Sequence, residues 1–139
     1  MAEVFKVEIV CADRLVWEGE ATQLTAMTTV GEIGILAHHI PLIAMLGIGT
    51  AEITTSDGTR HIIAVDDGLV SVTADDFVAI ISPYAQLARD IDVDEARRDL
   101  QELSAKREAG DNSLATTKAY KRAKTQVKAA ESHTPVSRW

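Results

Sequence analysis

The 139-residue chain has one cysteine, Cys11, so no disulfide can close within it, and a reducing cytosol is the expected compartment. Cys11 reads as a small apolar residue near a strand end, not as a reactive thiol. A long apolar run is missing as well. The longest, from residue 34 to residue 49, is broken by His38, His39 and Pro41, and a membrane span needs about 20 apolar residues. Glu3 stands where a signal peptide carries positive charge and no cleavable apolar segment follows, so neither a transmembrane helix nor export is expected.

Positive charge is absent between Arg14 and Arg60. Gly31-Glu32-Ile33-Gly34 has the spacing of a loop that clamps nucleic-acid backbone, but an acid inside it and no cation around it exclude nucleic acid. No Gly-rich phosphate loop occurs, and Cys11 has no Cys or His at zinc spacing. His38 and His39 are adjacent, and on an extended segment they point to opposite faces, so no metal is expected there. Asp66/Asp67 and Asp75/Asp76 have the composition of acid–base pairs, yet both sit at expected turns, where Asp is favoured for backbone reasons. A lipoyl or biotinyl carrier needs Lys at a hairpin tip, and the tips here are Ser-Asp-Gly and Asp-Asp-Gly. No catalytic constellation remains.

What the chain does have is 46% apolar and 25% charged residues, enough to build one core. Its charge is divided unevenly. Residues 1–112 hold 8 Lys and Arg against 20 Asp and Glu, whereas residues 113–139 hold 6 against 1. An acidic body with a basic end has a segment suited to an acidic partner.

Two kinds of periodicity divide the chain. Phe5, Val7 and Ile9 alternate with Lys6, Glu8 and Val10, the period of a strand with one buried face. A second strand is expected over Leu15 to Met27, broken near Gly19. Thr50 to Thr55 and Thr59 to Val65 flank Ser56-Asp57-Gly58, a hairpin signal. Asp66-Asp67-Gly68 precedes a strand from Leu69 to Thr73, and Ala74-Asp75-Asp76 one from Phe77 to Ser82. Such spacing predicts an antiparallel β-sandwich or barrel over residues 1–84.

After Pro83 the pattern becomes helical, giving a two-helix hairpin over residues 85–131 and a loose tail over 132–139, where Trp139 is expected to fray. Asp92 caps a helix of about 94–109 with Glu95 three residues on. Val93, Ala96, Leu100 and Leu103 form its apolar stripe, with Asp94/Arg98 and Glu102/Lys106 as i,i+4 pairs. Gly110-Asp111-Asn112 ends it. Ser113 caps a second helix of about 113–131, in which Ala115, Ala119, Ala123, Val127 and Ala130 form a small-residue face for close approach. The fold class is thus mainly β plus α, an N-terminal sandwich followed by an antiparallel helical hairpin.

Four segments in this order resemble the epsilon subunit of F-type ATP synthases over about residues 3–131. They are VEIVCADRLVWEGEATQL (7–24), GEIGILAHHIPLIAMLGIGTAEI (31–53), DDGLVSV (66–72) and DIDVDEAR (90–97). Ala37-His38 replaces the family's Pro-Gly, and His39 takes the position of its His. Met27-Thr28-Thr29-Val30 replaces its Gly-rich connection. The family's nucleotide signature Ile/Leu-Asp-x-x-Arg-Ala reads Val93-Asp94-Glu95-Ala96-Arg97-Arg98, with Arg in place of Ala.

The resemblance implies a non-catalytic central-stalk subunit on the cytoplasmic face of the bacterial plasma membrane. It would bind the gamma subunit, reach the membrane only through the c-ring, and help couple proton transport to ATP synthesis. It implies c-ring contacts at Glu32 and His39. No resident cofactor or metal is implied, ATP at Asp94 and Arg97 being the one nucleotide site that the family pattern offers. Lys118, Lys121, Arg122, Lys124 and Lys128 become an inhibitory docking face for the alpha/beta catalytic head. The alternative class is a freestanding cytosolic β-sandwich interaction module.

Overall fold

Phe5, Val7 and Ile9 are buried while Lys6 is exposed, so the first strand, β1 (Phe5–Cys11), forms as its alternation predicts. The computed structural model describes residues 3–133; of the tail expected over 132–139, Ser132 and His133 continue the second helix, and residues 134–139, Trp139 included, lie outside the described residues. Cys11 ends β1 buried, its Sγ 3.5 Å from Asp13 Oδ1.

Nine further strands follow: β2 (Arg14–Ala21), β3 (Gln23–Thr28), β4 (Gly31–Leu36), β5 (Leu42–Met45), β6 (Gly49–Thr54), β7 (Arg60–Asp66), β8 (Leu69–Val72), β9 (Phe77–Ile81) and β10 (Tyr84–Leu87). Together with β1 they form two five-stranded sheets, ordered β2-β1-β9-β8-β5 and β10-β7-β6-β3-β4. The sandwich is antiparallel except for β1 and β9, which run parallel with Val7 opposite Val78 and Ile9 opposite Ile80. The inner faces bury Leu24, Ile35, Ile53, Ile63, Val70 and Ile80, each contributing about 1.5 to 3 kcal/mol gross.

The structure corrects several sequence-based boundaries. The break expected near Gly19 falls at Thr22, where the chain leaves one sheet for the other and the Thr22 N–H and hydroxyl both donate to Thr54 O. Gly19 lies within β2 opposite Val7, and the Trp17 ring folds over it so closely that a Cβ would sit 2.9 Å from the ring. Gly31-Glu32-Ile33-Gly34 is not a loop but part of β4, paired to β3. Asp66-Asp67-Gly68 does not close a hairpin; it carries the chain from β7 in one sheet to β8 in the other. Ser56-Asp57-Gly58 does close one, joining β6 and β7 with Gly58 at φ 85°.

The strand pattern also outlasts the expected boundary at residue 84. Tyr84 begins β10, which pairs with β7 from Tyr84 opposite Asp66 to Leu87 opposite Ile63. A 3-10 turn over Ala88–Asp90 follows. Pro83 therefore marks a sheet crossing, and the helical pattern starts at Asp92, whose carboxylate accepts from the Glu95 N–H at 3.1 Å.

Helix α1 is Val93–Glu108 and α2 is Leu114–His133. Gly110 stands between them at φ 102°, donating to Arg107 O, and Ser113 Oγ accepts from the Thr116 N–H. The α1 stripe is buried only at Ala96, with Val93, Leu100 and Leu103 half-buried. Neither expected i,i+4 pair forms among the described residues; Arg97 instead reaches Asp94 at 4.0 Å and Glu131 of α2 at 2.9 Å.

Of the small-residue face on α2, Ala123 and Ala130 are buried and Ala115 and Ala119 are exposed. Ala129, outside that expected face, is fully buried against Ile62, Ala64 and Ala88. This contact explains why His61-Ile62-Ile63-Ala64-Val65 reads as an almost unbroken apolar run. Ile63 and Val65 face the sandwich core, and Ile62 and Ala64 face the helix.

Candidate functional site

Two surfaces of the molecule are built for contact. The first is a rim where the edge strands β4 and β5 meet, tied by the Thr28–Leu46 bridge and by the Thr29 N–H on Met45 O. Val30, Leu36, Ile40, Ile43 and Met45 are each at least 60% exposed there. A soluble surface rarely gathers so many large apolar side chains unless a partner covers them. Glu32 is exposed on β4 opposite Met27, on the same side of the strand as Leu36. His39 lies in the turn joining β4 to β5, with Nδ1 2.7 Å from Ile40 O. Both residues expected at the c-ring lie along this rim, Glu32 on a strand and His39 on a turn.

Its apex holds His38, whose tie to the rest of the fold the sequence did not show. His38 adopts φ 64°, the left-handed conformation that the family's Gly would supply without strain. The Asp76 carboxylate accepts the His38 N–H at 2.6 Å, and the ring reaches Asp76 Oδ2 at 2.9 Å and Glu3 Oε2 at 2.6 Å. The sequence signal was the Ala37-His38 replacement itself, since a bulky residue in a glycine position needs outside support.

The second surface is the seat of α2 on the sandwich. Arg122 meets Asp66 Oδ2 through Nη2 at 2.6 Å and Nε at 2.7 Å, and its guanidinium lies 4.5 Å from the centre of the Tyr84 ring. Lys118 reaches Asp67 at 3.1 Å, and Gln126 Nε2 donates to the Tyr84 hydroxyl at 2.9 Å. Burial raises the Tyr84 phenol above its ordinary value, and the Gln126 hydrogen bond and the Arg122 charge oppose that. The buried Ser82 Oγ lies 3.0 Å from Asp66 O and 2.7 Å from Tyr84 O, its one proton within reach of both sides of the seat.

The five expected docking cations therefore fall into two groups. Lys118 and Arg122 face the sandwich. Lys121, Lys124 and Lys128, spaced three and four apart, form an exposed stripe with no ion-pair partner among the described residues. Asp66 and Tyr84 were missed because a turn acid and a post-proline Tyr read as local structure; their role depends on residues some 40 to 60 positions away.

Asp94 and Arg97 lie together on the first turns of α1, and Arg97 spends its guanidinium on Glu131. Between the hairpin and the sandwich lies an open cleft of about 690 Å3, lined by Asp99, Glu102 and Leu103 of α1, by Lys118 and Arg122, and by Asp66. Neither Asp94 nor Arg97 lines it. No helix among the described residues is long and apolar enough to cross a membrane.

Residues 4–93 match the family model described as "ATP synthase, Delta/Epsilon chain, beta-sandwich domain". The chain is 44% identical over 101 residues to an ATP synthase epsilon chain of Cutibacterium acnes, covering 73% of this chain and 69% of that one. It is 42% identical over 109 residues to one of Streptomyces avermitilis, covering 78% and 87%. In fold it resembles a chain of the Euglena gracilis mitochondrial ATP synthase, solved as OSCP/F1/c-ring in rotational state 1. There the TM-score is 0.69 at 20% identity, over 94% of this chain and 79% of that one.

Proposed function

Since the chain belongs to the ATP synthase epsilon-chain family and is a non-catalytic stalk subunit of that enzyme, we propose that its β4–β5 rim is the surface that joins gamma subunit to c-ring. The single observation that carries this is the cluster of five exposed apolar side chains on the edge strands β4 and β5 of the two sheets and on the turns beside them. Those residues would pack on the partner subunits, while Glu32 meets basic residues in the polar loops of the c-ring and His39 lines the same contact. An exposed pair of this kind contributes only about 0.2 to 1 kcal/mol. Apolar burial at about 25 cal/mol per Å2 then supplies most of the affinity. The subunit would sit at the membrane face through the c-ring alone and turn with the rotor as proton flow is coupled to ATP synthesis.

Cysteine placed at position 32 tests the placement. In assembled complex it should cross-link to the c subunit, and a complex that assembles without any such product would overturn it.

The hairpin has a second proposed role, as a restraint on ATP hydrolysis that docks on the alpha/beta catalytic head. What supports it is the outward stripe Lys121, Lys124 and Lys128, which the sandwich leaves uncovered. Lys118 and Arg122 would join that docking only after leaving Asp67 and Asp66, so the seated hairpin opposes inhibition. Asp94 and Arg97 would take ATP only if Arg97 released Glu131, and calorimetry on Arg97→Ala against wild type decides whether it does.

A further inference from the structure

His38 sits where three separate parts of the chain converge: the segment ahead of β1 carrying Glu3, the β4–β5 turn, and the β8–β9 turn carrying Asp76. Both ring nitrogens face carboxylate oxygens, Nε2 at 2.6 Å and Nδ1 at 2.9 Å. A neutral imidazole has one N–H, so one nitrogen would turn its lone pair toward an anion. Only the imidazolium donates to both. The charged groups on the flanking elements are Glu3, Lys6 of β1, Asp75 and Asp76, with His39 in the turn itself. Among the described residues only Glu3 and Asp76 pair with the ring.

We propose that His38 is a proton-dependent pin that holds the β4–β5 turn, and with it Ile40 of the rim, against the N-terminal segment and the β8–β9 turn. Histidine changes charge between about pH 5 and 8. As the imidazolium, the ring bridges Glu3 and Asp76. Once the ring is neutral, one of the two bonds is lost and Glu3 is released, while the bond from the His38 backbone N–H to Asp76 stays, because it needs no ring proton. The turn then keeps its left-handed residue with one tie fewer, and the rim loosens at its apex. The consequence for assembly rests on the rim being the rotor contact; the pin itself does not.

Amide hydrogen exchange on the full chain, corrected for intrinsic rates, tests the pin at pH 6 and pH 8. In wild type the amides of residues 38–40, including the His39 N–H that donates to Leu36 O, should lose about two- to fivefold of their protection at pH 8. His38→Gly takes the left-handed φ without a ring, so it should fold with an unchanged core and show no such step. Glu3→Gln should shrink the step, and His39→Gln should keep it. A wild type without the step, or a His38→Gly chain that retains it, overturns the proposal. Both are read on the isolated chain, whereas failure of the rotor-contact reading appears only in assembled complex.

Discussion

Arg122 and Asp66 stand 56 positions apart in the chain and meet at 2.6 Å, with the Asp66 side chain 7% exposed and that of Arg122 45% exposed. A carboxylate so far out of water needs its cation, and here that cation belongs to a helix whose other attachments are buried alanines, the Lys118–Asp67 pair and the Gln126–Tyr84 hydrogen bond. The hairpin is thus held by a few polar contacts on a small-residue face, an attachment that a partner can compete for.

Removing the guanidinium strands the buried carboxylate. Arg122→Ala should cost about 1.5 to 3 kcal/mol, and Asp66→Asn combined with Arg122→Gln should cost less than the two changes added. Denaturant unfolding of Arg122→Ala and of the four chains of the cycle (wild type, Asp66→Asn, Arg122→Gln and the double variant) measures this. Additive losses would show that the pair is not coupled.

The sandwich should fold without the hairpin, provided that β10 is kept. Truncation after Ile91 is expected to unfold cooperatively, whereas truncation after Pro83 removes the strand that pairs with Ile63 to Asp66 and should melt without a sharp transition. Calorimetric traces of the two fragments discriminate between them.

Gly68 admits no other residue. Its φ is 110°, and an added Cβ would lie 2.1 Å from Ile81 O and 2.8 Å from Ser82 Cα, both backbone atoms. Gly68→Ala should cost at least about 1 to 3 kcal/mol from the dihedral alone, with the overlap on top, and a melting temperature equal to wild type would refute the geometry.

The rim should behave as a surface built for a partner. Ile43→Asp, at a position 74% exposed, should change the stability of the isolated chain by less than about 0.5 kcal/mol. The same change should reduce recovery of the subunit with assembled enzyme. The stripe makes a separate demand: Lys121, Lys124 and Lys128 all changed to Glu should raise ATP hydrolysis with assembly intact, and salt should weaken the wild-type restraint. Equal hydrolysis at low salt would leave the stripe as solvated surface.

Asp57 at the β6–β7 hairpin tip should titrate near 2. The Thr55 hydroxyl is the largest cause, followed by the Thr59 N–H, and both favour the ionised carboxylate. A depressed value means that the stabilisation is complete above the ordinary 3.8 and is lost as pH falls through about 2. Carboxyl chemical shifts should show that midpoint, and Thr55→Val should move it upward toward 3.8.

Alternation and turn chemistry in the sequence by itself determined the sandwich, the hairpin of helices, the Asp92 and Ser113 caps and the separation of acidic body from basic end. These are local properties, set by residues within a few positions of one another, and a single chain displays them directly. Tertiary structure alone decided the rest. That the chain changes sheets at Thr22, Asp67 and Pro83 depends on which strands find each other, and β10 was hidden because four residues after a proline carry too short a period to read. The role of Asp66 was invisible because its partner arrives from a helix 56 residues later. The left-handed His38 is tied by Glu3 and Asp76, remote in sequence and adjacent in space, and those bonds offset its backbone strain.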